Sequence, residues 1–277
     1  MHQLRRGIVL TAGLFAVSTA AHAAAFSTSA GSPTPVPSNG VIEGKYPPGQ
    51  SDTSYYFAVD LKAGELASQI SMNGGAQYKT LDFALLDGNG RKIDAYYITA
   101  GANDNNEATR VFPIDATGKY LVRLDTKGPE TTSFRVALGG TAMPNLQAAA
   151  AQTNGASRSF LNPTTVPASG MVSGSFPGGN GYTFYYFGAD LKAGELLTQT
   201  SVAGREGAYK WIRLTLLDDQ GLPDKSYFMS RVDANADATK SFPIDRSGHY
   251  VFRLTVQGPE TTKYKIELGG DAFAPGK

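Results

Sequence analysis

The chain has 277 residues, 41% of them hydrophobic and 18% charged, with a formal net charge of +1 and no cysteine. That composition supports a packed core and excludes wholesale disorder, disulfide bonding, thiolate chemistry and a lipid-modified cysteine. With 25 basic residues against 24 acidic ones, the chain lacks the basic excess that nucleic-acid binding requires.

The chain opens with Arg5-Arg6, a mostly apolar run over residues 7–17, and then Ala21-His22-Ala23. A basic start, a short apolar stretch and a small-x-small site predict a secretory signal peptide over residues 1–23, with cleavage before Ala24. The apolar run is short for a bilayer and no later stretch reaches spanning length, so no membrane insertion is expected after cleavage. Twin-arginine export ranks below ordinary secretion, since nothing points to a prefolded cofactor enzyme. Cleavage removes Arg5 and Arg6 and leaves 23 basic residues against 24 acidic, a formal −1. A periplasmic or extracellular location follows.

Residues 24–35 are mainly Ala, Ser, Thr, Gly and Pro, which predicts a flexible leader. Beyond them a repeat organises the chain. Residues 55–66, Tyr-Tyr-Phe-Ala-Val-Asp-Leu-Lys-Ala-Gly-Glu-Leu, return at 185–196 with ten of the twelve unchanged, a displacement of 130 residues. Two modules are therefore expected, over 36–140 and 166–270, with a linker at 141–165 and a tail at 271–277. Alanines 148–151 allow a short helix over 145–152, but the surrounding polar, Gly- and Pro-bearing residues favour a linker.

Within each module the apolar period is two. Tyr120, Val122 and Leu124 alternate with Leu121, Arg123 and Asp125, and Tyr250, Phe252 and Leu254 do the same in the second copy. Asp87-Gly88-Asn89-Gly90 and Asp218-Asp219-Gln220-Gly221 each follow Leu-Leu and have hairpin-turn chemistry. Eight strands per module are expected, near Val41, Tyr56, Ile70, Phe83, Tyr97, Phe112, Leu121 and Val136 in the first. The predicted fold is all-β, two tandem antiparallel β-sandwiches of jelly-roll character.

An aromatic-Phe strand, an Ala-Gly-Glu-Leu turn, a Leu-x-Leu-Leu-Asp-x-x-Gly hairpin and a Gly-x-Tyr-x-x-Arg-Leu strand follow in that order. In these motifs each module resembles the bacterial pre-peptidase C-terminal domain. That is a β-sandwich attached to secreted peptidases and similar in fold to collagenase collagen-binding domains. The resemblance implies the sandwich fold and a non-catalytic, binding or secretion-related role. It departs from the family in having no catalytic domain alongside, and no binding residue is carried over.

Residue chemistry points the same way. After cleavage only His249 remains, with Lys119 at its place in the first module and no Gly-x-Ser-x-Gly elbow, so a histidine triad is not expected. One histidine and no cysteine do not make a zinc site. The carboxylates Asp60 with Glu65, Asp190 with Glu195, and Asp115 and Asp245 lie at turn-like places, where they bond local backbone more readily than they catalyse. Asp87, Asn89 and Asp94 begin like a calcium loop, but Arg91 stands at the third ligand place and the closing glutamate is missing. Neither cofactor nor metal is expected.

Aromatic residues carry the binding expectation. Trp211, the only tryptophan, falls with Arg213 on the face opposite Ile212, Leu214 and Leu216, and its first-module counterpart is Thr80. It is either a stacking platform for a sugar ring or polymer side chain, or packing at a sheet edge or against the linker. Tyr56 and Tyr186, opposite in face to their Tyr and Phe neighbours, join Trp211 and Arg213 as candidate ligand-binding residues. The expected protein is an exported non-catalytic binder of a cell-envelope or extracellular polymer, polysaccharide or protein. The alternatives are a periplasmic structural or assembly scaffold and a carboxylate-dependent hydrolase.

Overall fold

A computed structural model describes residues 26–73, 77–101, 106–143 and 156–273. The signal peptide read over 1–23, the short helix considered over 145–152 and the end of the tail lie outside the described residues.

The first module contains β1 (Thr34–Pro35), β2 (Val41–Tyr46), β3 (Gly49–Leu61), β4 (Gly64–Met72) and β5 (Lys79–Leu86). β6 (Lys92–Ala100), β7 (Asn106–Ile114), β8 (Gly118–Gly128) and β9 (Thr132–Gly139) complete it. The second repeats this as β10 (Thr164–Thr165), β11 (Met171–Phe176), β12 (Gly179–Leu191), β13 (Gly194–Ala203) and β14 (Lys210–Leu217). Then come β15 (Pro223–Arg231), β16 (Asn235–Ile244), β17 (Gly248–Gly258) and β18 (Thr262–Gly269).

Each module is a sandwich of a five-stranded and a four-stranded sheet. The orders are β1-β3-β8-β5-β6 over β2-β9-β4-β7, and β10-β12-β17-β14-β15 over β11-β18-β13-β16. The long pairings are antiparallel, and among the described residues only the two-residue strands β1 and β10 pair in parallel. The period of two decides which side chains face inward. In β8, Tyr120, Val122, Leu124 and Thr126 are buried while Leu121, Arg123 and Asp125 are only half-buried. The inward residues of the two sheets form one core per module, centred on Phe57, Phe83 and Phe112 in the first and on Phe187, Leu214 and Phe252 in the second. Each predicted strand of the first module is present. The turns also behave as read: Asp87 Oδ1 accepts the N–H groups of Asn89 and Arg91, and Gly90 takes a φ of 80° that only glycine adopts without strain.

The modules are longer than the repeat suggested. Residues 26–35, expected to be a flexible leader, belong to the first sandwich: Phe26 meets Phe57 edge-on at 5.1 Å, and β1 pairs with β3 at Phe57 and Ala58. Residues 156–165, expected in the linker, make the same arm in the second, with Ser157 bridged to Tyr186 and β10 paired with β12. Ala142, also assigned to the linker, is fully buried in the first core, and its counterpart Ala272 in the expected tail is buried in the second. Ser, Thr and Pro composition suggested flexibility, but here the short hydroxyls order the arm by capping its own backbone. Ser27 N–H donates to Thr34 Oγ1 and Ser29 N–H to Ser27 Oγ, and Ser157, Thr164 and Ser159 repeat the pattern.

Candidate binding face and the contact between modules

The outward face of the second module's five-stranded sheet carries Trp211, Arg213 and Tyr186, while Tyr56 lies on the first module. Three ladders place its side chains in rows. Tyr186, Arg253, Thr215 and Ser226 stand across β12, β17, β14 and β15. Phe184, Thr255, Arg213 and Phe228 form the next row, and Gln257, Trp211 and Ser230 the third. At about 4.8 Å between strands, the row from Phe184 to Phe228 spans roughly 14 Å.

Trp211 lies half-buried on this face with the Tyr182 ring 5.2 Å away, and the Arg213 guanidinium sits 4.8 Å above the indole. Tyr182 in turn neighbours Phe184 at 6.5 Å, and the Arg253 guanidinium lies 6.0 Å over Phe184. Phe228, directly across from Arg213, is 64% exposed. The guanidinium already covers one face of the indole, so the groups turned outward are the Arg213 fork, the Phe228 ring and the flanking Tyr182 and Phe184. Trp211 stands on β14, between β17 and β15 and so not at a sheet edge, packed against Tyr182 and carrying the Arg213 guanidinium.

The same face of the first module has different chemistry. Asp52, Ser54, Asp82 and Asp125 occupy the places of Tyr182, Phe184, Arg213 and Thr255. Ser54 donates to Asp125 Oδ1 at 2.6 Å and Arg123 Nε lies 2.9 Å from Asp125 Oδ2. Burial, and then the neighbouring charges of Asp125 and Asp52, raise the Asp82 carboxyl above its ordinary range. The first copy's face is thus richer in carboxylates and the second's in aromatic rings, while Tyr97 and Arg123 of the first match Phe228 and Arg253 of the second. Tyr182, Phe184 and Phe228 were not among the sequence candidates, yet the divergence of the first two from Asp52 and Ser54 was legible, while Phe228 keeps the aromatic character of Tyr97.

Tyr186 is not available to a ligand. It is fully buried where the first module's four-stranded sheet meets the second module, and its hydroxyl donates to the Glu107 carboxylate. Gln69 Nε2 donates to the other Glu107 oxygen at 3.0 Å and to the Arg158 carbonyl at 3.0 Å, while its Oε1 accepts the Phe160 N–H at 2.9 Å. Val111 N–H bonds the Gln220 carbonyl at 2.8 Å, and Thr109 donates to the Gly221 carbonyl. Burial pushes the Glu107 carboxyl up to about 7, partly offset by the hydrogen bonds from Tyr186 and Gln69 and by the Arg253 and Arg135 charges. Burial and the Glu107 charge raise Tyr186 well above the usual phenol range. Tyr56, the first-module equivalent, is half-buried on the outward face. Beside the contact a cleft of about 340 Å³ runs between the modules, lined by Glu107, Arg135, Arg158, Tyr182 and Phe184. It continues the aromatic face inward.

The remaining candidates have local duties. Asp190 faces His249 across the ladder, with 2.8 Å between Oδ1 and Nδ1 at the exposed sheet end. Glu195 accepts from Ser241, and Asp94 pairs with Arg110 at 2.7 Å instead of completing a calcium loop. Among the described residues, no group of three or more His, Asp or Glu is placed to hold a metal ion.

No protein-family model matches the chain, and no curated protein does. Solved structures align with it only distantly. The tandem CBM22-1–CBM22-2 domains of Paenibacillus barcinonensis Xyn10C are 9% identical, with 84% of this chain and 92% of that one covered, at a TM-score of 0.27. The insecticidal delta-endotoxin Cry8Ea1 of Bacillus thuringiensis is 10% identical over 80% of this chain and 54% of its own, at a TM-score of 0.26. Tripeptidyl peptidase 2 is 11% identical over 83% of this chain and 23% of its own, at 0.24. At these scores the likenesses bear on neither ligand nor activity, and the assignment to tandem β-sandwiches rests on the strand topology itself.

Proposed function

We propose that this chain is an exported, non-catalytic binding protein that takes a polysaccharide across the outward face of its second module. The carrying observation is the row Phe184–Thr255–Arg213–Phe228 with Trp211 and Tyr182 beside it, where the first module presents carboxylates. Sugar rings offer apolar C–H faces to aromatic rings and hydroxyls to polar groups between them, and this face supplies the rings through Tyr182, Phe184 and Phe228 and polar groups through Arg213 and Ser230. The modules are read as pre-peptidase C-terminal in type, which the order of their motifs supports. Export is read from the opening residues, and no described helix is long and apolar enough to cross a membrane.

Affinity electrophoresis of the whole chain through gels containing neutral or uronic-acid polysaccharides tests the reading. Retardation by at least one polymer, lost in Arg213→Ala and Phe228→Ala, is the expected result. Retardation by none of them, with capture on denatured collagen or another extended polypeptide, would transfer the face to a protein ligand.

A further inference from the structure

The contact between the modules joins two different surfaces, and each has a copy on the opposite module that, among the described residues, nothing occupies. The first module contributes a socket on its four-stranded sheet: Gln69, Glu107, Thr109 and the Val111 N–H, with Gly139 beside them. The second module contributes a plug: Tyr186, the arm at 157–161 and the Gln220-Gly221 turn. The repeat carries both surfaces onto the opposite module. On the free four-stranded sheet of the second module, Gln199, Asp237, Thr239, Ser241 and Gly269 stand in the places of the socket. Gln199 Nε2 even bonds Asp237 Oδ2 at 3.4 Å, as Gln69 bonds Glu107.

The free plug on the first module is preformed. Tyr56 N–H donates to the Ser27 carbonyl at 2.9 Å, as Tyr186 does to Ser157 at 2.8 Å. The arm closes with Ser32 N–H on Ser29 at 3.3 Å, matching Asn162 on Ser159 at 3.3 Å. The Gly90 turn closes on Asp87 at 2.9 Å, matching Gly221 on Asp218 at 3.0 Å. What the plug gives the socket is mostly backbone: the carbonyls of residues 158, 220 and 221 and the N–H of residue 160. Thr28, Asn89, Gly90 and Ala30 offer the same atoms in the same conformation.

We propose that a second copy of this chain is the partner of both free surfaces. The socket of one chain's second module takes the plug of the next chain's first module, so that chains join head to tail. Such a contact is heterologous and continues into an open assembly unless its rotation closes a ring. The occupant is singled out by continuity with the existing contact, because the hydrogen-bonding groups are retained in kind: Gln for Gln, Thr for Thr, Tyr for Tyr and the shorter Asp for Glu. The joint between chains is weaker than the joint within one. Phe160 and Leu161, which press on Gly221 and Gly139, are replaced by Ala30 and Gly31, so the apolar part of the plug is missing. Association is therefore concentration-dependent, and it does not depend on the polysaccharide reading, since the row from Phe184 to Phe228 stays outside the contact.

Sedimentation velocity of the mature chain over a concentration series is the test. A weight-average mass that climbs past two copies is expected. Tyr56→Ala, which removes the plug's hydroxyl, and the pair Gln199→Ala with Asp237→Ala, which empties the socket, should each weaken association at least tenfold while circular dichroism is unchanged. Mixed together, those two proteins should stop at a dimer, since each retains one working end. Ala30→Phe with Gly31→Leu should strengthen association, because a Cβ at Gly31 meets only Ser29 Oγ at 3.7 Å and the new side chains restore the apolar plug. A chain that stays monomeric up to about 1 mM in both wild type and the Ala30→Phe/Gly31→Leu variant would overturn the proposal. So would a dimer that ignores all of these substitutions.

Discussion

The Tyr186 hydroxyl of the second module donates its hydrogen bond to the Glu107 carboxylate of the first, 79 residues earlier in the chain. Gln69 holds the other carboxylate oxygen at 3.0 Å, so the two sandwiches are joined by a half-buried acid with neutral donors on both oxygens. The contact orients the aromatic face of the second module relative to the cleft beside it.

Acid should tighten this joint. The Glu107 carboxyl is raised from 4.5 to about 7 by burial, so the folded chain holds its proton more firmly than the unfolded chain does. The group contributes no penalty below about pH 4.5. The penalty then grows as pH rises toward 7 and is complete above it, where it is on the order of 3 kcal/mol, at 1.36 kcal/mol per pKa unit. Urea midpoints measured at pH 5 and pH 8 should differ in that direction. Glu107→Gln should flatten the difference, and an unchanged pH profile in that variant would remove Glu107 as its source.

The buried lysines should differ between modules. Lys79, 1% exposed, reaches Glu130 at 2.6 Å, whereas Lys210 is held by the carbonyls of Arg205, Ala208 and Asp233 at 2.8–3.0 Å. Removing the Glu130 charge leaves an ammonium without its counter-charge, which costs about 3–5 kcal/mol when a buried pair is broken. Glu260, at the matching place, instead bonds Arg205 N–H at 2.7 Å. Glu130→Gln should therefore lower the melting temperature more than Glu260→Gln. Equal losses would mean that Glu130 is not what holds Lys79.

Gly140 should not tolerate a side chain. It has a φ of 92°, and a Cβ there would lie 2.4 Å from the Glu65 carbonyl oxygen, as would one on Gly270 from Glu195. Both a strained conformation and a backbone collision result, each of the order of 1–3 kcal/mol. Gly140→Ala and Gly270→Ala should each destabilise by at least that much in thermal unfolding, while Gly118→Ala, with open space around it, should cost little.

Arg213 and Trp211 should separate binding from folding. Arg213 is exposed, so Arg213→Ala should change stability by no more than about 0.5 kcal/mol. It should nonetheless uncover the indole and shift its emission to longer wavelength. Trp211→Ala removes the ring that meets Tyr182 at 5.2 Å and supports the guanidinium, so it should cost polysaccharide affinity and some stability together. Unaltered emission in Arg213→Ala would show that the guanidinium does not cover the ring in solution.

The sequence by itself determined the elements and their faces. A period of two and a repeat displaced by 130 residues are local properties of the chain. They were enough to count two modules, to place strands at Val41, Tyr56, Phe83 and Leu121, and to put Trp211 beside Arg213 and away from Ile212. Only the tertiary structure decided what each outward face meets. Tyr56 and Tyr186 have the same neighbours in sequence, yet one is half-buried on an open face and the other lies fully buried against Glu107. Nothing local distinguishes them, because the difference comes from docking one sandwich on another. The same holds for the arm at 26–35: its Ser, Thr and Pro residues read as flexible until Phe26 is seen packed against the core, a contact fixed by packing across the sheets and not by propensity along the chain.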